Sequence, residues 1–303
     1  MTAVRQQPLD VHAVRRPVSP LADLLSLTKP RLSSLVLCTL AGGMWLAPGE
    51  LSLARWILTL LGSAGTVGAA NALNCWLERD RDRLMARTCG RPLPAGRMEP
   101  GVALGFGLLL GGLSLPVLAL GSNLLTAALG LLALLSYVVA YTPLKARAAG
   151  AMLVGAVPGA LPPLMGWTAV TGRPGLGGLV LFGILFTWQM PHFLAIALYR
   201  EDEYRLAGLR TFPVVYGGAV TRAWMAVWTV LLVATSLLLV PLGMAGPLYL
   251  AAAVLLGGAF LVMVLRGWIR GEGRPWARRT FLFSLIYLAA LFGVLLLSGR
   301  AHA

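Results

Sequence analysis

Charge is scarce in this chain. Only 12% of its 303 residues are Asp, Glu, Lys or Arg, about half the share usual in soluble domains. A water-soluble fold of this length needs a charged surface and is excluded. Acid is scarcer still, with 11 Asp and Glu against 25 Lys and Arg. Three cysteines, none in a Cys-x-x-Cys spacing, exclude a disulfide scaffold. Residues 1–24 lack the apolar core of a secretory signal and read as a polar cytoplasmic tail. What the chain has in quantity is apolar surface: it is 58% hydrophobic, with a mean hydropathy of +0.79. That excludes disorder and leaves an all-α polytopic membrane protein, because within lipid a long apolar run must satisfy its backbone as a helix.

Residues 25–300 read as one membrane domain with nine spans, at 32–48, 53–75, 101–121, 124–142, 150–170, 176–198, 220–243, 245–266 and 279–298. Short turns, at 121–123 and at 243–247, predict hairpins between the third and fourth and between the seventh and eighth spans. With the N-terminus inside, 22 of the 25 basic residues fall on the cytoplasmic side and only Arg55, Arg173 and Arg300 on the other. This asymmetry predicts N-in, C-out in a bacterial-type inner membrane. It accounts for most of the net charge of +14 with the lipid bilayer as the partner and no nucleic acid.

Six of the eleven acids fall in two clusters. Asn74, Glu78 and Asp82 recur every four residues, so they share one face of a helix, with Asp80 about opposite Glu78. Such a row is a solvated helix end paired with the interleaved arginines, or it holds a cation; Mg²⁺ suits carboxylates together with substrate phosphates. Asn74, a turn deeper in the membrane, favours the second reading. The other cluster, Glu201, Asp202 and Glu203, lies on the same side of the membrane. Arg87 and Arg91 follow the first row in a Gly- and Pro-rich loop, and Lys145 and Arg147 follow the fourth span. Lys29 and Arg31 precede the first span. Arginine forks suit phosphate oxygens, although the positive-inside bias and lipid headgroups account for basic residues here equally well. Carboxylates and cations in front of an apolar interior suit an amphiphilic diphosphate.

The stretch Asn74-Cys75-Trp76-Leu77-Glu78-Arg79-Asp80-Arg81-Asp82 resembles the UbiA superfamily of intramembrane prenyltransferases, with Glu78 where that family has the first Asp of Asn-x-x-x-Asp-x-x-x-Asp. Leu27-Thr28-Lys29-Pro30-Arg31, Arg87-Thr88-x-x-Arg91-Pro92-Leu93-Pro94, Tyr141-Thr142-Pro143-Leu144-Lys145, Gly159 to Trp167 and Trp188-Gln189-Met190-Pro191-His192-Phe193 are similar to its haem-farnesylating branch. The likeness is dense over 25–220. It implies nine helices around a central cavity. It implies, too, transfer of farnesyl from farnesyl diphosphate to a vinyl group of haem B, with addition of water. The catalytic set would be Asn74, Glu78, Asp82 and Asp80, the first three holding Mg²⁺. Arg87, Arg91, Lys145, Arg147, Lys29 and Arg31 would bind diphosphate. A hydrophobic product makes a downstream haem-modifying enzyme a natural partner.

The chain departs from the superfamily at its second acidic motif, where Arg200 and Tyr204 occupy the expected Asp positions. Ala148 and Ala151 stand where that branch tends to have polar residues. His192 lies inside an apolar span, whereas His12 and His302 lie in the tails. It is the candidate haem-binding residue, as an iron ligand or a propionate partner, although hydrogen bonding between helices accounts for a buried histidine too. Two other functions stay open on residues alone: prenylation of an aromatic quinone precursor, which needs no haem group, and transport, whose polar groups would sit near the bilayer midplane.

Overall fold

A computed structural model describes residues 19–85 and 87–298. Eleven helices account for the regular structure, with no strand among the described residues. They are α1 (Pro20–Leu27), α2 (Pro30–Leu46), α3 (Leu53–Asp82), α4 (Pro100–Gly121), α5 (Leu124–Leu144), α6 (Ala151–Thr171), α7 (Leu176–Tyr199), α8 (Glu201–Leu206), α9 (Phe212–Leu237), α10 (Pro247–Arg270) and α11 (Arg274–Ser298). Eight of them are long and apolar enough to cross a membrane: α3 to α7 and α9 to α11. The first expected span, 32–48, is α2, which has 17 residues. The count of nine is therefore not reached by length and composition among the described residues.

The long helices pack against their sequence neighbours in a ring, α11 returns to α2, and α2–α6 and α7–α11 contacts brace it. Close approach depends on absent side chains, as expected where helices associate without a hydrophobic drive. A Cβ at Gly166 on α6 would overlap the Leu40 carbonyl of α2, and one at Gly43 on α2 would overlap Pro163 of α6. At the end away from the acidic row, Arg55 of α3 donates to the Gly121 and Ser122 carbonyls, 3.3 and 2.5 Å away. These are C-terminal carbonyls of α4 that have no partner within the helix. Asn123 caps α5 through the Thr126 amide at 2.9 Å and donates to the Thr168 carbonyl of α6 at 2.7 Å.

Several boundaries differ from expectation; α3 runs on to Asp82, α10 to Arg270, and α11 starts at Arg274. The polar tail predicted over 1–24 is helical from Pro20, with Ser19 as the N-cap; residues 1–18 lie outside the described residues. α1 packs on α3 and α4 through buried Leu27 and through buried Asp23, which pairs with Arg97. α9 begins at Phe212 rather than 220, the chain bending at Gly217 with φ of 80°. It ends at Leu237 rather than 243, because Pro241 has no N–H to continue the ladder. The hairpin to α10 therefore spans 238–246, longer than predicted.

Gly166→Ala is expected to lower the thermal unfolding midpoint in detergent, because overpacking costs about 1–3 kcal/mol. Gly105→Ala, which places its methyl in open space inside α4, is expected to leave it unchanged or raise it. Equal shifts would contradict the α2–α6 contact.

Candidate active site

The helical wheel read from the sequence is observed on α3. Asn74, Glu78 and Asp82 are buried in one row, while Asp80 points away at 71% exposure and pairs with Arg79 and Arg83. Asp80, expected among the catalytic set, is therefore not brought to the site: two residues from Glu78 it stands ~200° around the helix.

Each residue of the row is met by a cation from a different segment. Lys29, between α1 and α2, donates to Asn74 Oδ1 at 3.0 Å. Lys145, after α5, bridges both Glu78 oxygens at 2.6 and 2.7 Å. Arg91, in the loop after α3, donates to Asp82 Oδ2 at 2.6 Å. Asn74 closes the row by donating its amide to Glu78 Oε2 at 3.0 Å and to Thr142 Oγ1 at 3.1 Å. The carboxylates are deeply buried, with side chains 7% and 2% exposed, while Lys145 and Arg91 keep about a third of theirs in the open. Local backbone builds this arrangement. Residues Ser136–Tyr141 of α5 form a π-helical stretch, and Thr142 donates to the Tyr137 carbonyl at 2.8 Å across it. π-segments re-aim the residues that follow and recur at functional sites; this one turns Thr142 and Lys145 onto α3. Lys29 has φ of 49°, the one positive value outside glycine among the described residues. Burial pushes the Lys29 ammonium below its ordinary pKa, with nearby Arg91 and Lys145 acting the same way and Cys75 and Glu78 opposing.

A cleft of about 400 Å³ opens beside the row, with Lys29, Cys75, Arg87 and Arg91 on its walls and α1 along one side. Arg97 fastens α1 there by a two-pronged contact to Asp23, at 2.9 and 3.1 Å. Tyr204 of α8 lies within electrostatic reach of Arg87, Arg200 and Lys145, its phenol pKa raised by burial. Thr142, Asp23 and Tyr204 were not singled out as site residues from sequence. An acid beside helically spaced leucines in a chain with 11 acids was the available signal for Asp23.

Arg31 and Arg147 are exposed and take no part in the row's hydrogen bonds among the described residues. The second acidic cluster does not join the row either. Glu201 pairs with Arg205, Asp202 with Arg274 and Glu203 with Arg200. Among the described residues no three His, Cys, Asp or Glu side chains converge as a metal cluster; each residue of the row is instead paired with a cation. His192 lies apart, on α7 and facing α11. Its ring stacks on Trp188 with centroids 4.7 Å apart, and its Nδ1 lies 2.8 Å from Ser284 Oγ. The hydrogen bond between helices is thus present, and it uses one ring nitrogen.

Comparison with known proteins gives the family and the fold. The model of the UbiA prenyltransferase family matches residues 35–286. The chain is 62% identical over 276 residues to a protoheme IX farnesyltransferase of Myxococcus xanthus, covering 91% of this chain and 94% of the relative. It is 56% identical over 283 residues to one of Anaeromyxobacter dehalogenans, covering 93% and 96%. Among solved structures it resembles a digeranylgeranylglyceryl phosphate synthase, with a TM-score of 0.81 at 17% identity over 93% of this chain and 99% of the other. A UbiA homolog from Archaeoglobus fulgidus bound to GPP and Mg²⁺ matches with a TM-score of 0.64 at 18% identity, over 90% and 99%.

Removing one partner of a buried ion pair costs about 3–5 kcal/mol. Lys145→Met is therefore expected to lower thermal stability, and adding Glu78→Gln to restore part of it. Additive losses in this double-mutant cycle would show that the pair is not coupled.

Proposed function

The chain belongs to the UbiA prenyltransferase family, and we propose that it transfers farnesyl from farnesyl diphosphate to a vinyl carbon of haem B, with addition of water, releasing diphosphate and haem O. It is an integral membrane protein. The observation that carries the reading is the buried oxygen row of α3, matched by partly exposed cations beside an open cleft, in a chain whose relatives carry that activity in their names.

The row's donor set fits Mg²⁺: two carboxylates and an amide oxygen on one helix face leave room for waters and diphosphate oxygens. Asn74, Glu78 and Asp82 would hold the ion, and when bound it neutralises charge that builds on the departing diphosphate. The cluster at 201–203 fits a second ion poorly, because its consecutive side chains diverge to three different arginines, with those of Asp202 and Glu203 61% and 58% exposed. Lys145, Arg91 and Lys29 release the row and turn their partly exposed heads to the diphosphate, joined by Arg87 from the cleft wall. Their charge favours loss of diphosphate and formation of the allylic cation. Apolar helix walls around the tail keep bulk water from that cation until the haem vinyl carbon has attacked it. Water then adds to the resulting cation as hydroxyl and returns a proton. We assign haem contact to His192.

The positive-inside bias supports a cytoplasmic site, with the N-terminus on that side and the C-terminus opposite. Lys29, Arg91, Lys145, Arg200 and Arg274 gather at the site end, while Arg55 lies at the far one. A product held in the bilayer would pass directly to a downstream haem-modifying enzyme.

Purified protein given haem B, farnesyl diphosphate and Mg²⁺ is expected to yield a haem heavier by one farnesyl and one water on mass spectrometry. Asp82→Ala should reduce it about 100-fold or more, the scale of losing a preorganised charge contact, whereas Asp80→Ala should not. Consumption of the diphosphate only with a phenolic acceptor would replace this reading with aromatic prenylation.

A further inference from the structure

We propose that Ser284 is a positioning residue that fixes the proton of His192 on Nδ1, so that Nε2 meets haem as a bare lone pair and ligates the iron. This rests on the reading that His192 contacts haem.

The inference follows from counting hydrogens. The Ser284 hydroxyl, on α11, has two close neighbours: the Phe281 carbonyl at 2.6 Å and His192 Nδ1 at 2.8 Å. It carries one hydrogen. The carbonyl oxygen can only accept, and two oxygens 2.6 Å apart repel unless a hydrogen lies between them. That hydrogen therefore points at Phe281, and Ser284 Oγ has only lone pairs to offer His192. The short contact to Nδ1 then requires Nδ1 to be the donor. A neutral imidazole with its proton on Nδ1 has none on Nε2.

The surroundings hold this arrangement in place. Trp188, one turn before His192 on α7, stacks on the imidazole and donates its indole N–H to the Ser284 carbonyl at 2.7 Å. Phe281 closes another side, with its ring centroid 5.0 Å from that of His192. Ser284 is thus bound through both its backbone and its side chain, and the imidazole cannot turn over without putting a carbon in place of Nδ1 against Ser284 Oγ.

The tautomer also decides between two roles for His192. A propionate needs a donor, and Nε2 has no proton to give it. Iron needs a lone pair, which Nε2 has. Orientation of a ligating histidine through its other nitrogen is the usual way a protein outside the coordination sphere tunes a metal bond.

Two measurements on the full chain in detergent test this. In ¹⁵N-histidine-labelled protein without haem, the His192 signals, assigned by their loss in His192→Gln, are expected to show a protonated Nδ1 and an unprotonated Nε2. Ser284→Ala should mix the tautomers, and Ser284→Thr, which keeps the hydroxyl, should restore the wild-type pattern. Haemin titration followed by the Soret band should then show affinity about 10-fold weaker in Ser284→Ala, near wild type in Ser284→Thr, and a changed band in His192→Ala. A proton on Nε2 in wild type overturns the assignment. So does an unchanged Soret titration in Ser284→Ala where His192→Ala is impaired. An unchanged Soret titration in His192→Ala overturns instead the reading that His192 contacts haem, and iron ligation with it.

Discussion

A carboxylate held out of water must have its charge answered, and most of the site end of this protein is arranged around two that are. Glu78 and Asp82 are almost fully covered. Isolated in such a setting, an ionised carboxyl carries a penalty of several kcal/mol. Lys145 and Arg91 offset it, and Lys29 does the same for the dipole of Asn74. Since the three cations come from three separate segments, the contacts fasten the α1–α2 junction, the loop after α3 and the end of α5 to one helix. The same contacts keep cations poised where a diphosphate would enter, so folding and substrate capture draw on one set of charges.

The backbone irregularities of the molecule cluster around those contacts. A regular α-helix through Ser136–Tyr141 would turn Thr142 and Lys145 to a different angle, and the π-helical stretch sets the angle observed. Lys29 adopts a left-handed conformation immediately before Pro30, a combination that costs energy and persists here where two helices and the Asn74 contact converge. Elsewhere, apart from the bend of α9 at Gly217, the helices are unbroken and are spaced by glycine and small side chains.

Much of this was legible in the residues. Apolar runs located the long helices, because lipid leaves a backbone few alternatives. The four-residue spacing of Asn74, Glu78 and Asp82 identified their shared face, since helical periodicity is local. The partners were less legible. Lys29, Arg91 and Lys145 read as diphosphate ligands, but nothing local reveals that they first neutralise the row; Lys145 meets Glu78 across 67 residues of chain. Asp80 belonged by its spacing to the opposite face, and it is found there, although the motif drew it into the expected set. α1 was hidden because eight residues give too short a run to stand out from a polar tail. Its burial depends on Arg97, 74 residues away. The early start of α9 was obscured by Gly217 and Gly218, which read as a break where the chain only bends.

The fork between Asp23 and Arg97 also bears on how the chain can be trimmed or fused. A truncation that removes α1 would leave Arg97 without its carboxylate and strip one wall from the cleft beside Lys29. The damage from such a deletion would fall on the active end, although the segment itself spans no membrane and touches no oxygen of the row. An affinity tag joined ahead of Ser19 would keep the cap, the fork and the wall together.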